Sequence, residues 1–233
     1  PTPCACSTAT AANGASPMPE PVFRDFDSRE AASRALANEL AGVLSAALER
    51  RDTAALVVSG GSSPFALFHQ LREAALDWPR VTVVPSDERD VPADHTDRND
   101  AMIRRELLQG LTAGARLVSL IPPGEIPARF DAVVLGMGVD GHTASLFPGS
   151  PELALALEPE VGLQRVTVPR LGVERVSLTL GALLNTRRVD LLFFGEDKRA
   201  VFESAARPGP VQEFPVRAVL AQDRVPVTVF WAP

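Results

Sequence analysis

The stretch LGMGVDGHTASLFP, residues 135–148, brings together residue types that could do acid–base chemistry. An apolar run ends at Leu135, two glycines follow, and Asp140 and His142 stand two positions apart. Histidine titrates near neutral pH and commonly takes a proton from water, and a carboxylate can orient its ring. The stretch is either a catalytic loop or a sharp turn with an unrelated histidine. We favour the loop, because strand exit and residue types agree.

A second chemical signal is SGGSSP at residues 59–64, which follows an apolar segment. Its glycines would let the backbone approach a ligand closely, and the start of the following helix offers free N–H groups to an anion. The spacing matches neither a P-loop nor a dinucleotide-binding fingerprint. The alternative is a tight connection in which Ser63 caps the helix and Pro64 opens it.

The third signal is SDER at residues 86–89, followed by His95 and Asn99. Placed beyond a buried strand, these charges could form a polar pocket in which Arg89 binds an anion or an oxyanion. The alternative is a solvated charged loop. His95 is expected to serve the loop or a helix cap rather than catalysis.

Two cations complete the set of candidate residues. Arg175 begins the segment RVSLTL, and Lys198 lies in the first turn of a helix that follows VDLLFFG. Lys198 is the only lysine among the 23 basic residues, and a cation near a helix start does not stabilise that helix. A bound phosphate would explain its place, whereas a solvated surface lysine is the alternative.

Strand and helix patterns alternate along the chain and must position these residues. A long helix is expected from the N-cap Ser28 to about Arg51, and another over residues 97–110, closed by a glycine. Short apolar strands separated by helices predict an α/β fold with an open, mostly parallel sheet covered by helices on both faces. Ligands in such sheets bind beyond the carboxyl ends of the strands, where the three signals would meet. The predicted strands are VFRDF, AALVVSGG, VTVVP, RFDAVVLGMG, RVSLTL, VDLLFFG and PVTVFW.

Length and composition suit a single domain. We expect a flexible tail over residues 1–20 and one catalytic domain over residues 21–233. A net charge of −6 argues against a nucleic-acid partner, and no apolar run reaches the ~20 residues that span a bilayer. Cys4 and Cys6 alone make neither a zinc site nor a favourable disulfide, so a reducing cytoplasm is expected.

These segments, in this order and spacing, resemble the 6-phosphogluconolactonase family from about residue 22 to the C-terminus. The DGHTASLFPG block at residues 140–149 is the most specific of them. The resemblance implies a fold of the glucosamine-6-phosphate deaminase and ribose-5-phosphate isomerase type. It implies hydrolysis of 6-phospho-D-glucono-1,5-lactone to 6-phosphogluconate, without metal or organic cofactor, by a monomer or small homo-oligomer. Arg98 departs from the family, which usually has a serine there.

The resemblance also implies roles for the candidate residues. His142 would be the general base that activates water, Asp140 would orient it, and Arg89 would lie near the reacting carbonyl or the sugar. Arg175, Lys198 and the 59–63 loop would hold the phosphate. The substrate-binding residues implied in full are Ser59, Gly60, Gly61, Ser62, Ser63, Asp87, Glu88, His95, Asn99, Gly141, Arg175 and Lys198.

Two other functions remain as alternatives. Glucosamine-6-phosphate deaminase is similar in fold, but it has a glutamate five residues beyond the histidine and a tyrosine after Asp-Glu. This chain has Phe147 and Arg89 at those positions. A non-catalytic sugar-phosphate sensor could keep the phosphate-binding residues, but the presence of both Asp140 and His142 favours an enzyme.

Overall fold

The computed structural model describes residues 20–169 and 173–233, so the predicted tail, apart from Glu20, and both cysteines lie outside the described residues. The strands are β1 (Val22–Asp25), β2 (Ala54–Val58), β3 (Val81–Pro85), β4 (Asp87–Arg89), β5 (Arg116–Leu117), β6 (Ala132–Leu135), β7 (Leu163–Thr167), β8 (Glu174–Leu178), β9 (Val189–Phe194) and β10 (Val227–Ala232). The α-helices are α1 (Arg29–Arg51), α2 (Phe65–Leu71), α3 (Asn99–Glu106), α4 (Leu153–Ala156), α5 (Leu180–Leu183), α6 (Glu196–Ala205) and α7 (Arg217–Leu220), and 3-10 turns span Trp78–Arg80 and Gly110–Gly114.

Seven strands form one sheet in the order β1-β10-β9-β6-β2-β3-β5, and every neighbouring pair is parallel. The predicted open parallel sheet is therefore confirmed. Because all strands point the same way, the segments after β2, β3, β6 and β9 leave from one edge. In the described part of the chain, no helix is long and apolar enough to cross a membrane.

Both faces of this sheet are covered, because successive side chains of a strand point to opposite sides. In β2, Ala55 and Val57 join the core on one face, whereas Leu56 and Val58 join the core on the other. Side chains from α1, α2 and α3 fill the second core, and side chains from α4 to α7 fill the first. The predicted helices on both faces are confirmed.

Helix α1 follows the sequence prediction closely. The Ser28 hydroxyl accepts a hydrogen bond from the Ala31 N–H at 3.2 Å, which satisfies one of the free donors of the first turn. Leu36, Leu40 and Leu44 are fully buried along one stripe. Asp52 ends the helix in the left-handed conformation, and its N–H donates to the Leu48 carbonyl.

Two helix ends differ from prediction. Helix α2 begins at Phe65 with Pro64 at the cap position, and no side chain caps it, so Ser63 is not its cap. Helix α3 runs only from Asn99 to Glu106. Gly110 does have a positive φ of 57°, but it opens a 3-10 turn rather than closing α3.

A second, three-stranded antiparallel sheet, in the order β4-β8-β7, was missed. A solvated charged loop, the alternative interpretation of SDER, is wrong, because residues 87–89 are strand β4, paired with β8. RVSLTL accordingly lies in this small sheet and not among the parallel strands. Charged residues signal a loop in sequence, but here their backbone groups pair with β8 and their side chains find buried partners.

Arg98 is one of those buried partners, with a side chain only 3% exposed. It holds Asp100 with two hydrogen bonds of 2.7 and 2.9 Å, and its Nε lies 3.8 Å from the Glu88 carboxylate. It also donates to the Ile121 carbonyl at 2.8 Å. Burial raises the pKa of Asp100, but the hydrogen bonds from Arg98 outweigh it and hold that pKa below its usual value. Arg98, which stands where the family usually has a serine, therefore has a structural role.

Replacing Arg98 should destabilise the fold by about 3 kcal/mol, because Arg98→Ser leaves buried carboxylates without a counter-charge. The low pKa of Asp100 contributes stability above its unfolded pKa, and that contribution is lost as pH falls through its folded pKa. The deficit of the variant should therefore be largest near pH 7 and shrink in acid. Urea unfolding of the wild type and the variant, at pH 7 and at an acidic pH, measures this difference in the free energy of unfolding.

The matched control is Arg105→Ser, which removes an exposed arginine from α3, the helix that Arg98 precedes. Its cost should stay within about 1 kcal/mol. Equal losses of stability for the two variants at pH 7 would show that Arg98 carries no buried charge balance.

Candidate active site

A cavity of about 360 Å³ opens at the carboxyl edge of the parallel sheet. The ends of β2 and β6, the β4–β8 pair and the first turn of α6 enclose it, which places the predicted signals around one space. Gly136, Met137, Gly138 and Ala144 also line it and were not predicted. The lining residues are Ser59, Gly60, Gly61, Ser62, Ser63, Asp87, Arg89, Asn99, Gly136, Met137, Gly138, His142, Ala144, Arg175 and Lys198.

His142 lines this cavity and forms a hydrogen-bonded pair with Asp140, which does not itself line it. His142 Nδ1 lies 2.5 Å from Asp140 Oδ1, and the His142 backbone N–H donates to the same oxygen at 3.2 Å. Burial raises the pKa of Asp140, but the bonds from His142 outweigh it and hold that pKa below its usual value. An ionised carboxylate can only accept, so this hydrogen bond needs a proton on Nδ1, and in the neutral ring the lone pair is then on Nε2.

The loop backbone makes this pair possible. A Cβ at Gly138 would overlap the His142 ring and lie 2.6 Å from Asp140 Oδ1, so only glycine leaves room. The Gly138 N–H donates to the His142 carbonyl at 2.9 Å and closes the loop. Ala144 has a φ of +48°, a conformation that non-glycine residues adopt at a cost of about 1 kcal/mol or more. Such strain is typical of functional loops.

Two arginines from the small sheet face each other at the cavity. Arg89 in β4 pairs in register with Arg175 in β8, so their side chains share one face of the sheet. Like charges directly opposite on a sheet destabilise it, so this pair does not serve the fold. An anion between the two guanidinium groups would remove the repulsion.

Asp87 anchors one of these arginines. It is 4% exposed, its carboxylate accepts from the hydroxyls of Ser86 at 2.8 Å and Ser145 at 2.6 Å, and Arg175 Nη1 lies 3.3 Å away. Arg175 Nε is buried and has no hydrogen-bond partner among the described residues.

Asn99 anchors the other arginine. Its Oδ1 accepts from Arg89 Nη1 at 2.7 Å, and its Nδ2 donates to the Asp87 carbonyl at 2.7 Å. A Cβ at Gly60 would lie 2.5 Å from Asn99 Cγ, so glycine at that position lets the β2 loop approach the amide. The backbone of the SGG loop does make a close approach, as predicted, but the group that it approaches is the Asn99 side chain rather than a ligand.

Lys198 is half-buried at the cavity, as the sequence suggested. Burial, and then the positive charge of Arg29, hold the pKa of Lys198 below its usual value. Within residues 20–169 and 173–233, no carboxylate lies within 4 Å of its ammonium group. With Arg89 and Arg175 it gives a cavity of three cations and one carboxylate in a chain of net charge −6.

Three predicted binding residues do not line the cavity. Glu88 is fully buried, and its carboxylate accepts from the N–H groups of Asn99 and Asp100 at the start of α3, so it positions that helix. His95 is an exposed loop residue whose Nδ1 accepts from the Asp97 N–H at 3.2 Å. Gly141 is buried against Phe214 with a φ of 75°, which glycine tolerates.

Other parts of the described chain offer no comparable chemistry. A shallower groove of about 570 Å³ between α1 and the start of β10 carries arginines and Glu39 but no histidine. Across residues 20–169 and 173–233, no three His, Cys, Asp or Glu side chains are grouped so that they could hold a metal ion.

The requirement for glycine at position 138 can be tested directly. Gly138→Ala should break the Nδ1–carboxylate bond, because the new methyl group takes the space of the imidazole. The chain has three histidines, so ¹⁵N-detected imidazole spectra resolve His142 readily. The wild type should show the tautomer with the proton on Nδ1, and the variant should lose it. Gly136→Ala is the control, since its methyl would lie 3.6 Å from Ser59 Oγ, an ordinary contact. The same spectrum in both variants would refute the requirement.

Comparisons with known proteins agree with this architecture. The family model for glucosamine-6-phosphate isomerases/6-phosphogluconolactonase matches residues 27–127 and 115–231. A 6-phosphogluconolactonase of Pseudomonas aeruginosa is 42% identical over 220 residues, covering 86% of this chain and 90% of that protein. One from Neisseria meningitidis is 36% identical over 232 residues, covering 91% of this chain and 99% of that protein.

Solved structures give the same result. The crystal structure of a 6-phosphogluconolactonase from Shewanella baltica superposes with a TM-score of 0.88 at 37% identity, covering 93% of this chain and 99% of that one. A monomeric glucosamine-6-phosphate deaminase has a TM-score of 0.71 at 16% identity, which shows a shared fold alone. The chain belongs to the glucosamine-6-phosphate isomerase/6-phosphogluconolactonase family, as the resemblance of its motifs to the lactonases predicted.

Proposed function

We propose that the chain hydrolyses 6-phospho-D-glucono-1,5-lactone to 6-phosphogluconate, the second step of the oxidative pentose phosphate pathway. The observation that carries the proposal is the Asp140–His142 pair, whose histidine lines the same cavity as three cations. The names of the relatives at 36–42% identity support the same reaction. We further propose that the enzyme is cytoplasmic, is a monomer or small homo-oligomer, and uses no metal, organic cofactor or nucleic-acid partner.

In the proposed reaction His142 acts first as a base and then as an acid. Nε2 takes a proton from water as the water oxygen bonds to the lactone carbonyl carbon, and Asp140 stabilises the imidazolium that forms. A guanidinium of the cavity stabilises the tetrahedral oxyanion. The intermediate collapses with cleavage of the bond to the ring oxygen, which receives the proton from His142. The new carboxylic acid then loses its own proton to water.

Binding of the remote phosphate orients the carbonyl. Arg175 and Lys198, with the 59–63 loop, are proposed to hold the phosphate, while Arg89 lies beside the reacting carbonyl or the sugar. Charge-assisted hydrogen bonds to phosphate are strong, and their energy can be used to fix the lactone against His142. The position of Arg175 on the wall of the cavity supports its place in this set.

The two alternatives are disfavoured by particular residues. Deamination would need a second carboxylate beside the histidine, and the side chain that packs there is Phe147, whose ring centroid lies 4.4 Å from that of His142. A non-catalytic sensor would have no use for a base oriented by Asp140 at the cavity.

Hydrolysis of freshly made lactone, followed against its spontaneous decay, tests the proposal. The wild type should accelerate the reaction in the presence of a chelator, and His142→Ala should lower kcat by ~10²–10⁴-fold, the usual contribution of a positioned base. The control His69→Ala alters a half-exposed histidine on α2, away from the cavity, and should leave kcat unchanged. No acceleration by the wild type would reject the proposed function, and full activity of His142→Ala would reject the base.

The phosphate site is tested by binding of the product. Lys198→Ala should weaken binding of 6-phosphogluconate by about tenfold or more, the cost of losing a hydrogen bond to a charged group, and should leave binding of gluconate unchanged. Arg207→Ala removes an exposed cation away from the cavity and should have little effect. Calorimetry of the wild type and both variants with each ligand gives the six affinities. Equal affinity of the wild type for gluconate and its phosphate would show that no phosphate site exists.

A further inference from the structure

Phe147 touches both halves of the site. Its ring centroid lies 4.4 Å from that of His142, with an interplanar angle of 35°, and the Arg175 Cζ lies 5.4 Å from the same ring. The side chain is 6% exposed and belongs to the buried core of one sheet face. One rigid aromatic group therefore joins the core to the base and to a cation of the cavity.

The loop is built to bring residue 147 back beneath residue 142. Ala144 turns the chain in the left-handed conformation, and the Leu146 N–H donates to the Thr143 carbonyl at 2.9 Å. The Thr143 hydroxyl donates to the Gly136 carbonyl at 2.8 Å, which ties the turn to the end of β6. The contact between the two rings is thus a product of an ordered turn.

The chemistry of the two neighbours explains why an aromatic ring suits this position. His142 becomes a cation when it takes a proton, and Arg175 is always one, while the face of a benzene ring carries partial negative charge. The ring has only two side-chain torsions, so it limits the orientations of both groups with little loss of its own entropy. An aliphatic side chain of similar size would fill the space without either effect.

We propose that Phe147 is a positioning residue for the lactone hydrolysis proposed above. Its ring holds the imidazole of His142, whose other side is fixed by Asp140, and keeps the Arg175 guanidinium directed at the cavity. The Phe147 ring thereby fixes the distance between the base, His142, and one phosphate-binding cation, Arg175. This proposal rests on the proposed function for its kinetic part and on the Arg175 contact for its binding part.

Phe147→Leu tests the kinetic part, with Phe193→Leu as the matched control. Phe193 is a fully buried phenylalanine of the same core that does not line the cavity, so its truncation lowers stability without touching the site. At a temperature where both variants are folded by circular dichroism, Phe147→Leu should lower kcat by about fivefold to tenfold, as expected for loss of ~1 kcal/mol from an aromatic contact. Phe193→Leu should leave kcat unchanged. Phe147→Met serves as a second non-aromatic variant with a more adaptable side chain.

A double-mutant cycle separates positioning from general damage. If Phe147 acts on turnover through His142, Phe147→Leu should have no further effect on the residual kcat of His142→Ala at saturating lactone. A loss of the same factor in both backgrounds, or equal kcat losses for Phe147→Leu and Phe193→Leu, would overturn the kinetic part.

The binding part needs no turnover. Phe147→Leu should weaken binding of 6-phosphogluconate by about fivefold when Arg175 is present, and not when Arg175→Gln has removed the guanidinium. Equal weakening in both backgrounds would overturn it. A wild type that binds the product with this coupling but fails to accelerate hydrolysis would reject the proposed function and leave the Arg175 contact standing.

Discussion

The contact between the Gly138 backbone and the His142 imidazole is the constraint on which the site depends. The hydrogen bond to Asp140 can form only if the ring lies against a residue without a Cβ, at the point where β6 has ended. The same loop must then turn back through Ala144 to place Phe147 under the ring. The parallel sheet supplies the strand end, and the glycines supply the conformations that a side chain would forbid.

The charges around the cavity favour the binding of an anionic ligand rather than the stability of the fold. Arg89 and Arg175 oppose each other across two strands, and Lys198 adds a third charge from α6. The neutral Asn99 holds Arg89, the single carboxylate of Asp87 holds Arg175, and no carboxylate of the described residues lies within 4 Å of the Lys198 ammonium group. The positive charge of the cavity is therefore not cancelled by the described residues. Repulsion of this kind is tolerated where a ligand carries the missing negative charge. The ion pair of Arg98 with Asp100, which has two hydrogen bonds, does not line the cavity.

The sequence was sufficient to predict the positions of residues where strand, glycine and helix signals coincide. The exits of β2 and β6, the pairing of Asp140 with His142 and the place of Lys198 all follow from buried parallel strands that end at one edge. The antiparallel pairing of β4 with β8 could not be read in this way, because DER has the composition of a loop and its partner lies far along the chain.

Burial of individual polar side chains was equally hidden from the sequence. Glu88 and Asp87 stand next to each other on a strand, yet one caps a helix from the interior and the other faces the cavity. The alternation of side chains along β4 explains this difference once the strand is known. Phe147 gave a signal only through its spacing from His142, and its contact with Arg175 required the tertiary structure.

Transfer of a proton from water to His142 is the central event of the proposed chemistry. Its most direct test is the single-turnover rate of lactone hydrolysis by the wild type, measured in H₂O and in D₂O after subtraction of the spontaneous reaction. A positioned general base predicts a clearly slower rate in D₂O, because the proton is in flight in the transition state. Equal rates in the two solvents would contradict it.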